Sequence, residues 1–155
     1  RSVQALMQFP DKAQIVAHRD GTEVLEAFAR CKKLIGVEIE EKAIADAKLN
    51  AEINEVTNAE YYAGDAGAFL KKMKDKPDVV FMDPPRAGSS EVFLDSLIKM
   101  SPKTVVYVSC NPETMARDLR YLEGHSRYRV KKIQPVDMFP YTNHVESVVL
   151  LEKIK

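Results

Sequence analysis

Short apolar, β-branched runs alternate with stretches of helical period along most of this chain. The runs fall at 14–17, 33–38, 59–63, 78–82, 104–109, 127–133 and 145–151. Between the first five lie segments at 22–31, 40–54, 65–74 and 91–99 whose apolar residues recur every three or four positions. A fifth such segment, 112–123, leads into the sixth run. In 40–54, Ala43, Ala47 and Ala51 with Ile44, Leu49 and Ile53 are expected to form one apolar band opposite the charges. Val79-Val80-Phe81-Met82 and Val105-Val106-Tyr107-Val108 are apolar at successive positions instead of alternating. Strands buried on both faces read that way, which predicts a parallel sheet with helices on each side. The last two runs are joined without a helix, so one of them is expected to run antiparallel at the sheet edge. The fold class is therefore α/β: a doubly wound, seven-stranded, mostly parallel sheet. Ligands bind such sheets beyond the carboxyl ends of the strands.

Composition narrows the function. The 155 residues make one ordinary domain, expected to bury roughly 70% of its unfolded surface. Twenty-three basic residues balance 23 acidic ones. That neutrality argues against a free-standing nucleic-acid binder but not against a catalytic domain acting on nucleic acid held by another module. Two cysteines, Cys31 and Cys110, exclude a disulfide scaffold, and three scattered histidines (His18, His125, His144) give no metal-ligand spacing. No apolar run is long enough for a membrane span and no signal pattern opens the chain, so a cytoplasmic protein is expected. The chain starts abruptly, with 2–8 reading as a helix, and is expected to be cut from something longer.

The strand ends carry the candidate chemistry. Strand two ends in Gly36-Val37-Glu38, where an acid can accept hydrogen bonds from both ribose hydroxyls or sit solvated before the next helix. Strand three ends in Gly64-Asp65-Ala66, and Asp65 suits a helix N-cap or a contact to an adenine amino group. Strand four runs into Asp83-Pro84-Pro85-Arg86-Ala87-Gly88. Two consecutive prolines make a stiff, extended exit that aims Asp83 into the cleft. Strand five ends in Ser109-Cys110-Asn111-Pro112, in which Asn111 suits an N-cap and Pro112 the first helical position. Cys110 then sits at a helix N-terminus, whose dipole favours the reactive thiolate. Cys31 has no such setting and is assigned to the core or a helix surface. The stretch 135–146 reads as a long loop in which Phe139 and Tyr141 can stack on a base. Glu146, at the start of the last strand, is either a surface residue or a base facing Cys110.

Asp83-Pro84-Pro85-Arg86, Ser109-Cys110-Asn111-Pro112 and His144-Val145-Glu146, in this order and spacing, resemble the RNA uracil-5-methyltransferases, which make 5-methyluridine in ribosomal and transfer RNA. The resemblance runs from about Lys32 to Leu151. It implies a methyltransferase fold that uses S-adenosylmethionine as cofactor and an RNA substrate, ribosomal RNA ahead of transfer RNA. It also implies that Glu38 and Asp83, with Asp65, bind the cofactor, that Cys110 is the nucleophile and that Glu146 is the proton acceptor. Family members usually carry an RNA-binding domain and a central region ahead of this one. Residues 1–155 are therefore expected to be a single catalytic domain lacking both.

One stretch departs from the family. At the end of strand one, Ala17 stands where an acid is expected. Gly21 fits the first glycine of the cofactor-binding turn, and Glu23 replaces the second. A carboxylate there crowds and repels the cofactor, so weakened binding is expected. The alternative reading is a non-catalytic methyltransferase-like domain. An amino-group methyltransferase shares the acid-and-proline loop but needs neither Cys110 nor Glu146, and a nicotinamide oxidoreductase lacks its Gly-x-Gly-x-x-Gly turn here.

Overall fold

The computed structural model describes residues 13–18 (as backbone), 31–138, 141–142 and 145–154. Its strands are β1 (Ala13–His18), β2 (Cys31–Glu38), β3 (Ala59–Ala63), β4 (Val79–Met82), β5 (Thr104–Ser109), β6 (Tyr128–Val136) and β7 (Glu146–Lys153). The helices are α1 (Glu41–Ile53), α2 (Ala66–Lys72), α3 (Glu91–Met100) and α4 (Pro112–His125). The strands form one sheet in the order β3-β2-β1-β4-β5-β7-β6. The pairs from β3 through β5 are parallel, and β7 is antiparallel to both β5 and β6. Strand order reverses between β1 and β4, which makes their carboxyl ends the switch point where a crevice opens.

The successive apolar residues of β4 and β5 are divided between two faces. Val80, Met82, Val105 and Tyr107 pack with α2, α3 and α4 around Leu94, Leu97, Met115 and Leu122. Val79, Phe81 and Val106 join Leu34 and Val148 on the other face. Leu97, Val105, Leu122 and Val149 are wholly buried. Each contributes roughly 1.5–3 kcal/mol by leaving water. Gly36 is needed for β3 to lie flat on β2: a Cβ there would meet Tyr61 Cδ1 at 2.6 Å.

Four expectations are corrected. The antiparallel strand is not at the edge; β7 inserts between β5 and β6, and β6 is the edge. An antiparallel pair needs no crossover helix, and β7 fills the place beside β5 that α4 leaves free. The 135–146 loop is shorter than its composition suggests, because Pro135 and Val136 pair with Ser147 and Glu146. A proline is tolerated on an edge strand, whose outer side has no ladder to complete. On α1 only Ile44, Ala47 and Ala51 are buried, while Leu49 and Ile53 are 54% and 68% exposed. At 100° per residue, positions 49 and 53 rotate off the stripe that 44, 47 and 51 share. Cys31 opens β2 and does not end a helix, although its burial fits the core assignment. The helix read at 2–8 and residues 22–30 of the one read at 22–31 lie outside the described residues, as do Gly21 and Glu23 of the strand-one turn.

Candidate active site

Five of the six candidate residues fall within the described chain, at the carboxyl side of the parallel strands or beside it. Glu38 closes β2, and its Oε1 accepts from the amides of Ile39 (2.8 Å) and Glu40 (3.1 Å). Its carbonyl accepts from Gly64 N at 2.8 Å, tying the ends of β2 and β3 together. Asp65 is the N-cap of α2, with Oδ1 accepting from Ala68 N at 2.7 Å. The capping role is thus the one its contacts show. The same residue also lines a cleft of about 230 Å³ with Gly67, Met82, Pro84, Pro85 and Ser89. Asp83 directly follows β4 and is half-buried. Glu38, Asp83 and Cys110 are not among the residues lining that cleft.

Cys110 follows β5 and is half-buried. Asn111 caps α4 by accepting from Glu113 N at 3.1 Å, and Pro112 takes the first helical turn. The backbone before the helix is held by Ser109 Oγ, which accepts from Asn111 N at 3.0 Å. Ser109 stands opposite Ser147 in the β5–β7 ladder. One residue further out along each chain come Cys110 and Glu146, so continuing the register brings the two residues opposite one another at the strand mouth. The other cysteine differs: burial pushes the Cys31 thiol up. Among the described residues, no three His, Cys, Asp or Glu side chains converge to hold a metal.

Composition and strand-end inspection missed a third group, which is the most heavily hydrogen-bonded in the region. Asp118, on α4, is fully buried. Its Oδ2 accepts from Tyr107 Oη (2.8 Å) and from the backbone amide of Ser89 (2.7 Å). Its Oδ1 accepts from Arg117 Nε (2.9 Å) and Nη2 (2.8 Å). Burial, reinforced by the Asp118 carboxylate, pushes the Tyr107 hydroxyl far up, so it stays a donor. Arg117 Nη2 also donates to the carbonyls of Ala87 (3.0 Å) and Ser89 (3.2 Å), while Asn111 Nδ2 and Thr114 Oγ1 donate to the Arg86 carbonyl. The signal was present in the sequence: position 118 lies on the helical stripe of Met115, Leu119 and Leu122, where a carboxylate needs partners.

Sheet order, the antiparallel seventh strand and the loops at the strand ends define a Rossmann-like methyltransferase domain, the fold of its solved neighbours. The sequence profile of the tRNA (uracil-5-)-methyltransferases matches residues 21–154. This chain belongs to that family of RNA methyltransferases. An uncharacterised RNA methyltransferase of Bacteroides thetaiotaomicron is 50% identical over 138 residues, covering 85% of this chain and 30% of the relative. One from Oceanobacillus iheyensis is 51% identical over 125 residues, covering 79% of this chain and 27% of the relative. The chain thus spans about a third or less of these relatives' length. The Pyrococcus abyssi tRNA (uracil-54, C5)-methyltransferase, solved with S-adenosyl-L-homocysteine, superposes with a TM-score of 0.82 at 35% identity. That match covers 96% of this chain and 36% of the Pyrococcus chain.

Proposed function

We propose that this chain is the catalytic domain of an enzyme that methylates carbon 5 of a uridine in RNA, with Cys110 as nucleophile and Glu146 as base. The observation that carries the reading is the β5–β7 register, whose last pair, Ser109 and Ser147, is flanked by Cys110 and Glu146 in a member of a uracil-5-methyltransferase family. The residues present also suit S-adenosylmethionine. An acid ends β2, a capped turn ends β3, and a proline-stiffened loop walls a cleft at the sheet's switch point. Glu38, Asp65 and Asp83, at the carboxyl ends of β2, β3 and β4, would hold the cofactor, which when bound would supply an electrophilic methyl group. β2 and β5 are three strand spacings apart, roughly 14 Å. An extended nucleoside–amino acid molecule can bridge that distance.

The protein's own residues supply the rest. Carbon 5 of uracil is too weak a nucleophile to be alkylated directly. The Cys110 thiolate adds at carbon 6, and the electron pair of the 5,6 double bond passes toward the 4-carbonyl, making carbon 5 nucleophilic. Once carbon 5 carries the methyl group, Glu146 removes its remaining proton. The carbon 6–sulfur bond then breaks, restoring the double bond and the free thiolate. The uridine must leave its stack to be reached, which costs least in loops and single strands.

The two roles separate in the full-length protein given S-adenosylmethionine and either transfer or ribosomal RNA. Glu146→Gln keeps the shape but lacks the base, so a denaturation-resistant protein–RNA band carrying the new methyl group is expected. Cys110→Ala should give none. Rapid turnover by Glu146→Gln would remove the base from this scheme, and a covalent band from Cys110→Ala would remove the nucleophile.

A further inference from the structure

The loop from Asp83 to Ser90 is stiff at its start, because of Pro84 and Pro85, and short of partners within itself. Within it, Gly88 N donates to the Pro85 carbonyl at 2.8 Å. What shapes the rest is α4, reaching across from nearly thirty residues downstream. Asp118 takes the Ser89 amide on one oxygen and the Arg117 guanidinium on the other, and that guanidinium grips the carbonyls on both sides of Gly88. The fit is close enough to dictate the residue between them. Gly88 has φ +78°, and a Cβ there would come within 2.5 Å of Arg117 Nη2 and 2.8 Å of Asp118 Oδ2. The opposite side of the same loop, through Pro84, Pro85, Gly88, Ser89 and Ser90, is one wall of the cleft that Asp65 and Gly67 complete.

Both oxygens of this buried carboxylate accept from the protein's own donors, and removing one partner of such a group is costly. Spending it on a backbone amide of the cleft wall ties the shape of that wall to α4, the helix that Cys110 precedes. We propose that Asp118, acting with Arg117, is a positioning residue that holds the 83–90 loop in the form that receives the cofactor. This rests on the reading of the cleft as an S-adenosylmethionine site. The Tyr107 hydroxyl shares the same carboxylate oxygen and lies beside Ser89, but it belongs to β5 and its hydrogen bond goes to Asp118. Tyr107→Phe serves as the comparison: it removes a buried hydrogen bond from Asp118 and keeps the Asp118 bond to the Ser89 amide and the Arg117 bonds to the loop carbonyls.

The test compares wild type, Asp118→Asn and Tyr107→Phe in the full-length protein. The measurements are S-adenosylhomocysteine binding by calorimetry, thermal unfolding, and amide exchange of the 84–92 segment without ligand. Asp118→Asn is expected to weaken binding at least tenfold and to speed exchange at Ser89, while Tyr107→Phe stays within about twofold of wild type in both at a comparable loss of Tm. Affinity that falls in proportion to Tm in both variants overturns the proposal and leaves Asp118 a structural residue. Unchanged affinity in Asp118→Asn overturns it as well. If Asp118→Asn does not fold, Arg117→Ala decides, since its guanidinium is over half exposed and releases the Ala87 and Ser89 carbonyls. A threefold or greater loss of affinity then supports the clamp, and none refutes it. A wild-type protein that binds no S-adenosylhomocysteine removes the cofactor reading itself, before any variant is compared.

Discussion

The two walls at the carboxyl end of the sheet, one at β2–β3 and one at β4–β5, are built on different principles. On the β2–β3 side the acids are satisfied by their immediate neighbours: Glu38 by the next two amides, Asp65 by the amide three residues on. The exposed Lys33–Glu60 pair, 2.9 Å apart, braces the strands behind them. On the β4–β5 side the loop is answered almost wholly from α4, by Asn111, Thr114, Arg117 and Asp118. The first wall is held by local capping, whose pieces are individually weak and independent. The second is held by a buried, connected network, in which the loss of one member strands the others. Rigidity is concentrated beside the helix that follows Cys110.

Substitutions on the two walls should therefore differ in size. The largest effect is expected for Gly88→Ala, which combines a positive φ with a Cβ driven into Arg117 and Asp118. A loss of about 2–3 kcal/mol in urea unfolding is expected from strain and overpacking together. A variant as stable as wild type would show that the loop is not clamped as described. On the opposite wall Asp65→Ala forfeits one N-cap, about 1 kcal/mol. It should leave amide exchange in the 84–92 segment unchanged, and faster exchange there would mean the walls are coupled. The smallest effect is expected for Lys33→Met. Its ammonium is raised above its ordinary value by the hydrogen bond to Glu60, but both groups face water, where such pairs add little. The unfolding temperature should be unchanged within error, and a fall of several degrees would show the first wall to depend on this pair.

The same contrast explains what could be read from the sequence. Asp65 and Asn111 as caps, Pro112 in the first helical turn, and Glu38 and Asp83 at strand ends all follow from rules that act within four residues. Burial of β4 and β5 on both faces followed from their unbroken apolar runs. The position of β7 between β5 and β6 did not, because a hairpin pattern states that two strands pair and not which of them meets the rest of the sheet. Asp118 was overlooked because its partners, Ser89 and Tyr107, are 29 and 11 residues away and one contact is a backbone amide. Leu49 and Ile53 are apolar enough to join the expected band of α1, but the helical angle separates them from Ile44 and leaves them exposed.

The central claim is that this site exchanges the carbon 5 hydrogen of a uridine for a methyl group by way of Cys110. Release of tritium from RNA carrying 5-tritiated uridine measures that exchange most directly. The full-length protein with S-adenosylmethionine should release one tritium for each methyl group incorporated, and Cys110→Ala should release none. Methyl incorporation with the tritium retained, or tritium release by Cys110→Ala, would contradict the account.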